Sequence, residues 1–355
     1  MFYSMTNDEK YIKRCFLLAK EGSGMVSPNP MVGAVVVCDD KIIGEGYHKQ
    51  YGSFHAEVNA INSVKDKKLL KDSTLYVSLE PCSHYGKTPP CSDFIIENKI
   101  KRVVISCKDY NEKVNGRGIK KLEDASIEVL CGVLEEEGLG LNKVFFTFQR
   151  KKRPYITLKW AQTIDGFMDI ERKGDKKEDY WISNDALRVW VHKQRAESDA
   201  ILVGRKTIEN DNPQLNLRYY YGKNPLRIVI DKDLKIHQDK NIYNRRQDTI
   251  IFNSIKDFNE GSLSLKKIDF SSSKKVIDEI LSHLYKNNIT SLIVEGGYFT
   301  LKQFIDNNLW DEANIIIGNK YFFSGKKSLY EDIDKRLLKE RIGVDDNFIE
   351  IYKNV

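Results

Sequence analysis

The chain has 355 residues, more than one compact domain usually holds. With 41% hydrophobic and 30% charged residues it suits two globular cores rather than a disordered polymer. A net charge of +6 over this length favours anionic small molecules without marking a nucleic-acid surface, so no nucleic-acid partner is expected. No run approaches the roughly 18 apolar residues of a membrane helix. The opening MFYSMTNDEKYIKRC lacks the apolar core of a signal peptide, so the expected compartment is the cytoplasm and no membrane partner is expected.

In chain order, YIKRCFLLAKEG reads as a helix with Gly22 as its C-cap, followed by the turn Ser27–Pro28–Asn29–Pro30. MVGAVVVC is a β-branched run typical of a buried strand, and KIIGEGYH is its short partner. HAEVNAINSVKD reads as a helix, TLYVSLE as a strand, CSDFIIENK as a helix and RVVISC as a strand. SIEVLCG and LEEEGLGLNKVFFTFQ close the first domain, expected over residues 1–149. Arg150–Lys151–Lys152–Arg153 before Pro154 reads as a solvated linker.

The second domain, expected over 154–355, restarts with the strand YITLKWA. A charged stretch leads to the helix in WISNDALRVWVHKQRAESD, capped by Ser183 or Asn184. AILVG, LRIVIDK, DTIIFN, SLIVEGG and EANIIIGNKYF read as strands, with helices in VIDEILSHLYKNN and FTLKQFIDNN. Strands alternating with helices imply α/β architecture in both halves.

All six cysteines lie in the first half, where a reducing compartment keeps them as thiols. His55-Ala56-Glu57 opens a helix, Pro81-Cys82 follows a strand, and Cys91 opens another helix. One imidazole and two thiolates form a three-ligand set for Zn²⁺ and leave a fourth position for water. Water held there acidifies toward neutrality, and Glu57, two residues past the histidine, is placed to shuttle its proton. That is the arrangement of a hydrolytic deaminase. A purely structural site needs a fourth protein ligand, for which His84 is the candidate, and Glu57 then has no task. Asn29, fixed between two prolines, offers a rigidly presented amide or simply a turn.

In the second half the polar groups at strand ends are Lys159, Asp165-Gly166, Gly204 with Thr207, Asp211-Asn212-Pro213, Arg218 and Glu295-Gly296-Gly297. The run Val294 to Gly297 leading into a helix suits a dinucleotide phosphate, although G-x-G-x-x-G is absent.

Taken together, Ser27-Pro28-Asn29-Pro30-Met31-Val32-Gly33, Gly46-Tyr47-His48, His55-Ala56-Glu57 and the run from Pro81-Cys82 to Pro90-Cys91 resemble the bifunctional riboflavin-biosynthesis deaminase/reductase family. So do Thr163-Ile164-Asp165-Gly166, Trp181-Ile182-Ser183, Arg195 to Gly204 and Asp211 to Leu215, so the resemblance spans about residues 10–345. It implies an N-terminal cytidine-deaminase-like α/β/α domain followed by a dihydrofolate-reductase-like α/β domain. It also implies one Zn²⁺ per chain on His55, Cys82 and Cys91, NADPH in the second domain, phosphorylated pyrimidine substrates and a homodimer or homotetramer. Carried over by motif, Glu57 and Lys159 are catalytic, and Asn29, His48, His84, Lys87, Asp109 and Asn111 contact the deaminase substrate. Asp179, Arg195, Leu215, Arg218 and Glu295 would hold the reductase substrate, with Arg195 and Arg218 gripping its phosphate. Ala161, Trp181, Thr207, Asp211, Gly297, Tyr298, Phe299, Thr300, Leu301, Lys302 and Gln303 would line the cofactor site. The chain departs from the family at Tyr110 and Glu112, where prolines are usual. It also departs at Asp179, where a serine is usual, in a loop about four residues longer.

Overall fold

The computed structural model describes residues 5–85, 89–110, 115–170 and 181–354. The chain forms two compact units, Met1–Lys152 and Arg153–Val355.

The first unit runs α1 (Asn7–Lys20), β1 (Gly33–Cys38), β2 (Lys41–Tyr47), α2 (Ala56–Ser63), β3 (Thr74–Val77), α3 (Cys91–Glu97), β4 (Arg102–Ile105), α4 (Arg117–Asp124), β5 (Glu128–Cys131), α5 (Glu135–Leu141) and α6 (Lys143–Lys151). Its sheet has the order β2-β1-β3-β4-β5, parallel from β3 to β5 and antiparallel around β1. Every residue of β1 is buried, because both faces are covered. Val35 and Val37 meet Tyr11, Ile12 and Phe16 of α1, while Ala34 and Val36 meet Ala60 and Ile61 of α2 and Ile95 of α3. The first helix begins earlier than its apolar pattern, at a Thr6–Glu9 capping box. The glycines of the G-E-G run let α2 lie directly on β2. A Cβ at Gly44 would sit 2.5 Å from the Ala60 carbonyl, and one at Gly46 would sit 2.4 Å from the Ala60 nitrogen. This contact sets the position of His55 and Glu57 at the start of α2.

The second unit runs β6 (Tyr155–Thr163), β7 (Phe167–Asp169), α7 (Asp185–Ala196), β8 (Ala200–Gly204), α8 (Arg205–Asp211), β9 (Leu226–Ile230), β10 (Thr249–Asn253), β11 (Phe258–Glu260) and β12 (Leu263–Lys267). It continues through α9 (Ser273–Lys286), β13 (Ser291–Val294), α10 (Tyr298–Asp306), β14 (Glu312–Gly318), β15 (Lys326–Lys327), β16 (Leu338–Val344) and β17 (Asn347–Lys353). The main sheet has the order β11-β12-β10-β9-β8-β13-β6-β14-β17-β16. Its seven central strands, β12 to β14 in that order, are parallel, and antiparallel strands flank them at both edges. One face packs α9 and α10 onto Ile156, Leu158, Trp160 and Ile315, and the other packs α7 through Leu187 and Val191 onto Ile316 and Ile349. Asn184 caps α7 by accepting from the Leu187 amide at 3.0 Å, which decides between the two cap candidates.

The charge block before Pro154 is not a solvated linker throughout. Arg150 and Lys151 end α6, whereas Arg153 forms a two-pronged pair with Asp311 at 2.5 and 2.8 Å and belongs to the second unit. Asp311 also accepts from the Ile156 amide at 2.9 Å, so this arginine fastens the first strand of its sheet. No described helix is long and apolar enough to cross a membrane.

Candidate active sites

In the first unit, His55 is the N-cap residue of α2. Its carbonyl accepts from the Asn59 amide at 3.1 Å, while its side chain makes no capping bond and stays available as a ligand. Cys91 is the first residue of α3. Cys82, in the segment after β3, accepts the Cys91 amide on its sulfur at 3.3 Å, and its carbonyl accepts the Ser92 amide at 3.1 Å. The His55 Nδ1 atom lies 3.2 Å from the Cys91 sulfur and 3.6 Å from the Cys82 sulfur. All three donor atoms lie within 4.8 Å of one another. Neutral imidazole plus two thiolates is a zinc donor set, and convergence at this spacing fits one ion with a position left over. His84 is exposed and is not among the groups that converge there.

The electrostatics suit metal capture. The Cys82 thiol is pulled down to about 4, first by a hydrogen bond from the Cys91 thiol and then by His55 and the Cys91 amide. Cys91 is pushed up by donating to Cys82 and by burial. Glu57 is only 3% exposed, and burial holds its carboxyl up to about 7, the range in which a group both takes and gives a proton.

Around this centre stand His48 and Asn29. His48 Nδ1 lies 3.1 Å from the Phe54 carbonyl, which can only accept. Nδ1 therefore carries the proton, and Nε2 accepts from the Asn29 amide nitrogen at 3.1 Å. Burial lowers the His48 pKa, in agreement with a neutral ring. The ring meets that of His55 edge-on, 5.2 Å between centroids. Asp109 is buried nearby in sequence to Tyr110, whose ring takes the Arg150 guanidinium at 4.0 Å and meets Phe146 at 5.8 Å. The departure from proline at Tyr110 thus brings its own anchor on α6. Lys87, Asn111 and Glu112 lie outside the described residues.

In the second unit, three charged side chains meet beneath α7. Arg195 of α7 grips Glu295, just past β13, through Nε at 2.9 Å and Nη2 at 2.7 Å, and Lys159 of β6 stands 3.7 Å from the same carboxylate. Burial opposes the Glu295 charge, but Arg195 and then Lys159 more than offset it and hold the carboxyl down to about 2. Burial pulls the Lys159 ammonium below its ordinary value against the attraction of Glu295. Arg195 Nη1 donates to the Asn216 carbonyl at 3.4 Å. Arg218 is exposed. Leu215 turns its side chain into the core, 3% exposed, and Leu301 is fully buried. Lys302 pairs with Asp306 and Asp332 at 2.9 and 3.2 Å.

The ends of β8 and β13 lie together, where the Gly297 amide donates to Thr207 at 3.1 Å, and α10 starts at that glycine. Tyr298, Phe299 and the buried Thr300 form its first turn, and Gln303 lies one turn on. Such a helix start suits cofactor phosphate. Ala161 lies on β6 one residue past Trp160, and Asp211 ends α8. Trp181 is half-exposed, carries Arg188 at 4.3 Å over its ring, and gives its carbonyl to Lys320. Asp179 lies outside the described residues.

His192 was not a sequence candidate. It is 4% exposed on α7, and its Nδ1 accepts from the Arg218 amide at 3.1 Å, seating the loop that carries Arg218. Burial, then Arg195 and Arg218, hold its pKa down to about 4, so it is neutral. The unfolded chain binds this proton more tightly than the folded one. The resulting stability is full above the ordinary value of about 6.5 and is lost as pH falls toward 4. In denaturant titrations, His192→Gln is expected to flatten that acid-side loss. A slope unchanged from the unmutated protein would remove His192 as its source.

Residues 5–107 match the family model described as the cytidine and deoxycytidylate deaminase zinc-binding region, and residues 154–340 match the RibD C-terminal domain. The chain is 39% identical over 346 residues to the riboflavin biosynthesis protein RibD of Aquifex aeolicus, covering 97% of this chain and 95% of the relative. It is 35% identical over 337 residues to that of Escherichia coli, covering 91% and 90%. A crystal structure of the diaminohydroxyphosphoribosylaminopyrimidine deaminase/5-amino-6-(5-phosphoribosylamino)uracil reductase of Thermotoga maritima superposes with a TM-score of 0.86 at 38% identity, covering 98% of this chain and 99% of that one. With a zinc-type donor set in the first unit, a buried lysine–glutamate–arginine cluster in the second, and relatives matched end to end, the chain belongs to the riboflavin biosynthesis protein RibD family.

Proposed function

We propose that the first unit deaminates 2,5-diamino-6-(5-phosphoribosylamino)pyrimidin-4-one and that the second reduces the ribosyl group of the resulting 5-amino-6-(5-phosphoribosylamino)uracil. The chain is a bifunctional enzyme of riboflavin biosynthesis, a zinc-dependent deaminase joined to an NADPH-dependent reductase. The observation that carries the residue assignment is the convergence of His55, Cys82 and Cys91 beside buried Glu57.

Zinc held by His55, Cys82 and Cys91 supplies an acidified water at neutral pH. Glu57 takes one proton of the attacking water and passes it to a pyrimidine ring nitrogen, then takes the proton left on the added hydroxyl and delivers it to the amino group, whose C–N bond breaks to release ammonia. Asn29, oriented by His48, presents its amide to the substrate, and Asp109, His84, Lys87 and Asn111 complete the contacts. NADPH bound in the second unit would supply a hydride to C1′ of the ribose, with the bond from C1′ to the ring oxygen broken as the sugar opens. Lys159 faces the ring oxygen that gains charge as the sugar opens, Glu295 keeps that ammonium in place, and Arg218 meets the phosphate. Ala161, Trp181, Thr207, Asp211 and the start of α10 hold the cofactor. The family resemblance supports a homodimer or homotetramer in the cytoplasm, which light scattering and fractionation measure.

Purified protein is expected to carry one zinc per chain. Chelation is expected to abolish deamination while supplied uracil intermediate is still reduced. Elemental analysis with a product-resolved mass assay checks both, and deamination that survives complete zinc removal would overturn the assignment.

A further inference from the structure

Glu80 lies two residues before Cys82 and is 4% exposed. Its backbone continues β3, with its amide donating to the Cys107 carbonyl at 3.0 Å. Its carboxylate turns inward and accepts four backbone N–H groups. Oε2 takes Asp109 at 3.3 Å and Gly116 at 3.0 Å, and Oε1 takes Gly118 at 2.9 Å and Ile119 at 3.4 Å. One oxygen therefore joins Asp109 to Gly116, and the other seats the first turn of α4. The backbone reinforces the junction, since a Cβ at Gly118 would lie 2.0 Å from the carbonyl oxygen of Pro81. Gly116 adopts φ +80° to cap α4, so both glycines of the G-R-G run are explained by this one seat.

A helix cap alone accounts for the bonds to Gly118 and Ile119, but not for the bond to Asp109, which lies outside the helix. That bond ties the residue proposed to meet substrate to the segment that carries a zinc ligand. We propose that Glu80 is a positioning residue of the deaminase site, holding the Asp109 segment in register with Cys82. This rests on the deaminase reading of the first unit. An ionised carboxylate is acceptor-only on both oxygens, whereas a carboxamide turns an NH₂ group toward two N–H donors. Glu80→Gln therefore breaks one pair of bonds without touching His55, Glu57, Cys82 or Cys91.

The test uses the full-length holoenzyme. Glu80→Gln is expected to keep one zinc per chain and to reduce supplied uracil intermediate normally. Its deaminase KM should rise about tenfold to a hundredfold, as for the loss of hydrogen bonds to a charged group. The deaminase kcat should stay within about threefold, because the ligands and the proton shuttle remain. A purely structural role would lower the melting temperature and leave KM alone below it, so an unchanged KM in zinc-loaded protein overturns the proposal. Loss of zinc also overturns it, by placing the role at the metal. If the glutamine variant does not fold, Glu80→Asp keeps both acceptor oxygens one methylene further back and is expected to raise KM by less; an unchanged KM there overturns the proposal equally. Unmutated enzyme is run alongside. Its failure to deaminate would count against the deaminase reading itself.

Discussion

Glu57→Gln is expected to keep its zinc and to lose deamination by about 10²–10⁴-fold, the usual range for a positioned general acid–base group. The side chain is buried beside the three donor atoms and is not one of them, so an isosteric amide leaves the metal site intact. What disappears is the carboxyl that burial raises to about 7, a group able to take a proton from water and return it to the leaving group. Cys82→Ser should behave differently and lose metal together with activity, since it removes the thiol that the Cys91 amide and His55 stabilise. Zinc content and deaminase rate measured on the same preparations separate the two. Near-normal turnover in Glu57→Gln would defeat the shuttle.

Lys159→Ala is expected to leave zinc and deamination unchanged and to stop the sequence one step later. With NADPH present, 5-amino-6-(5-phosphoribosylamino)uracil should accumulate. Removing a preorganised donor aimed at developing charge typically costs about 3–4 kcal/mol, or 10²–10³ in rate. Two observations support that role. Its side chain is 13% exposed, and Glu295 stands 3.7 Å away. Arg195 already neutralises Glu295, so the carboxylate steadies the ammonium without consuming its charge. The reciprocal experiment gives Glu57→Gln the supplied intermediate, which it should reduce at the unmutated rate. Reduction by Lys159→Ala at the unmutated rate would show that its ammonium is not used.

Much of this molecule was legible in order along the chain. The β-branched runs within 33–38, 103–105 and 228–230 mark strands, because a strand covered on both faces is mostly apolar. His55 and Cys91 open helices because the chain leaves an extended segment there, and a ligand at a helix start needs only local sequence to be placed. The motifs of the deaminase site fall within a few residues of their elements, so spacing reported them.

The remainder depended on partners far apart in sequence. The C-terminal hairpin of β16 and β17 has little local signature, because its outer strand is largely exposed and charged, with no strong alternation. Arg227 looks like a surface residue in a strand, yet it is 1% exposed. Thr249 and the carbonyls of Asn241, Ile242 and Gln247 close around it and satisfy its donors. Arg195 and Glu295 are 100 residues apart, so their pairing follows from the sheet order that brings α7 over the end of β13. Glu80 looked like the polar end of a strand until Asp109, Gly116 and Gly118 closed around it. Local sequence decides which backbone segments are regular and which side chains are chemically able. Tertiary packing decides which of those side chains are free to act, because a buried charge takes whatever partner the fold brings to it.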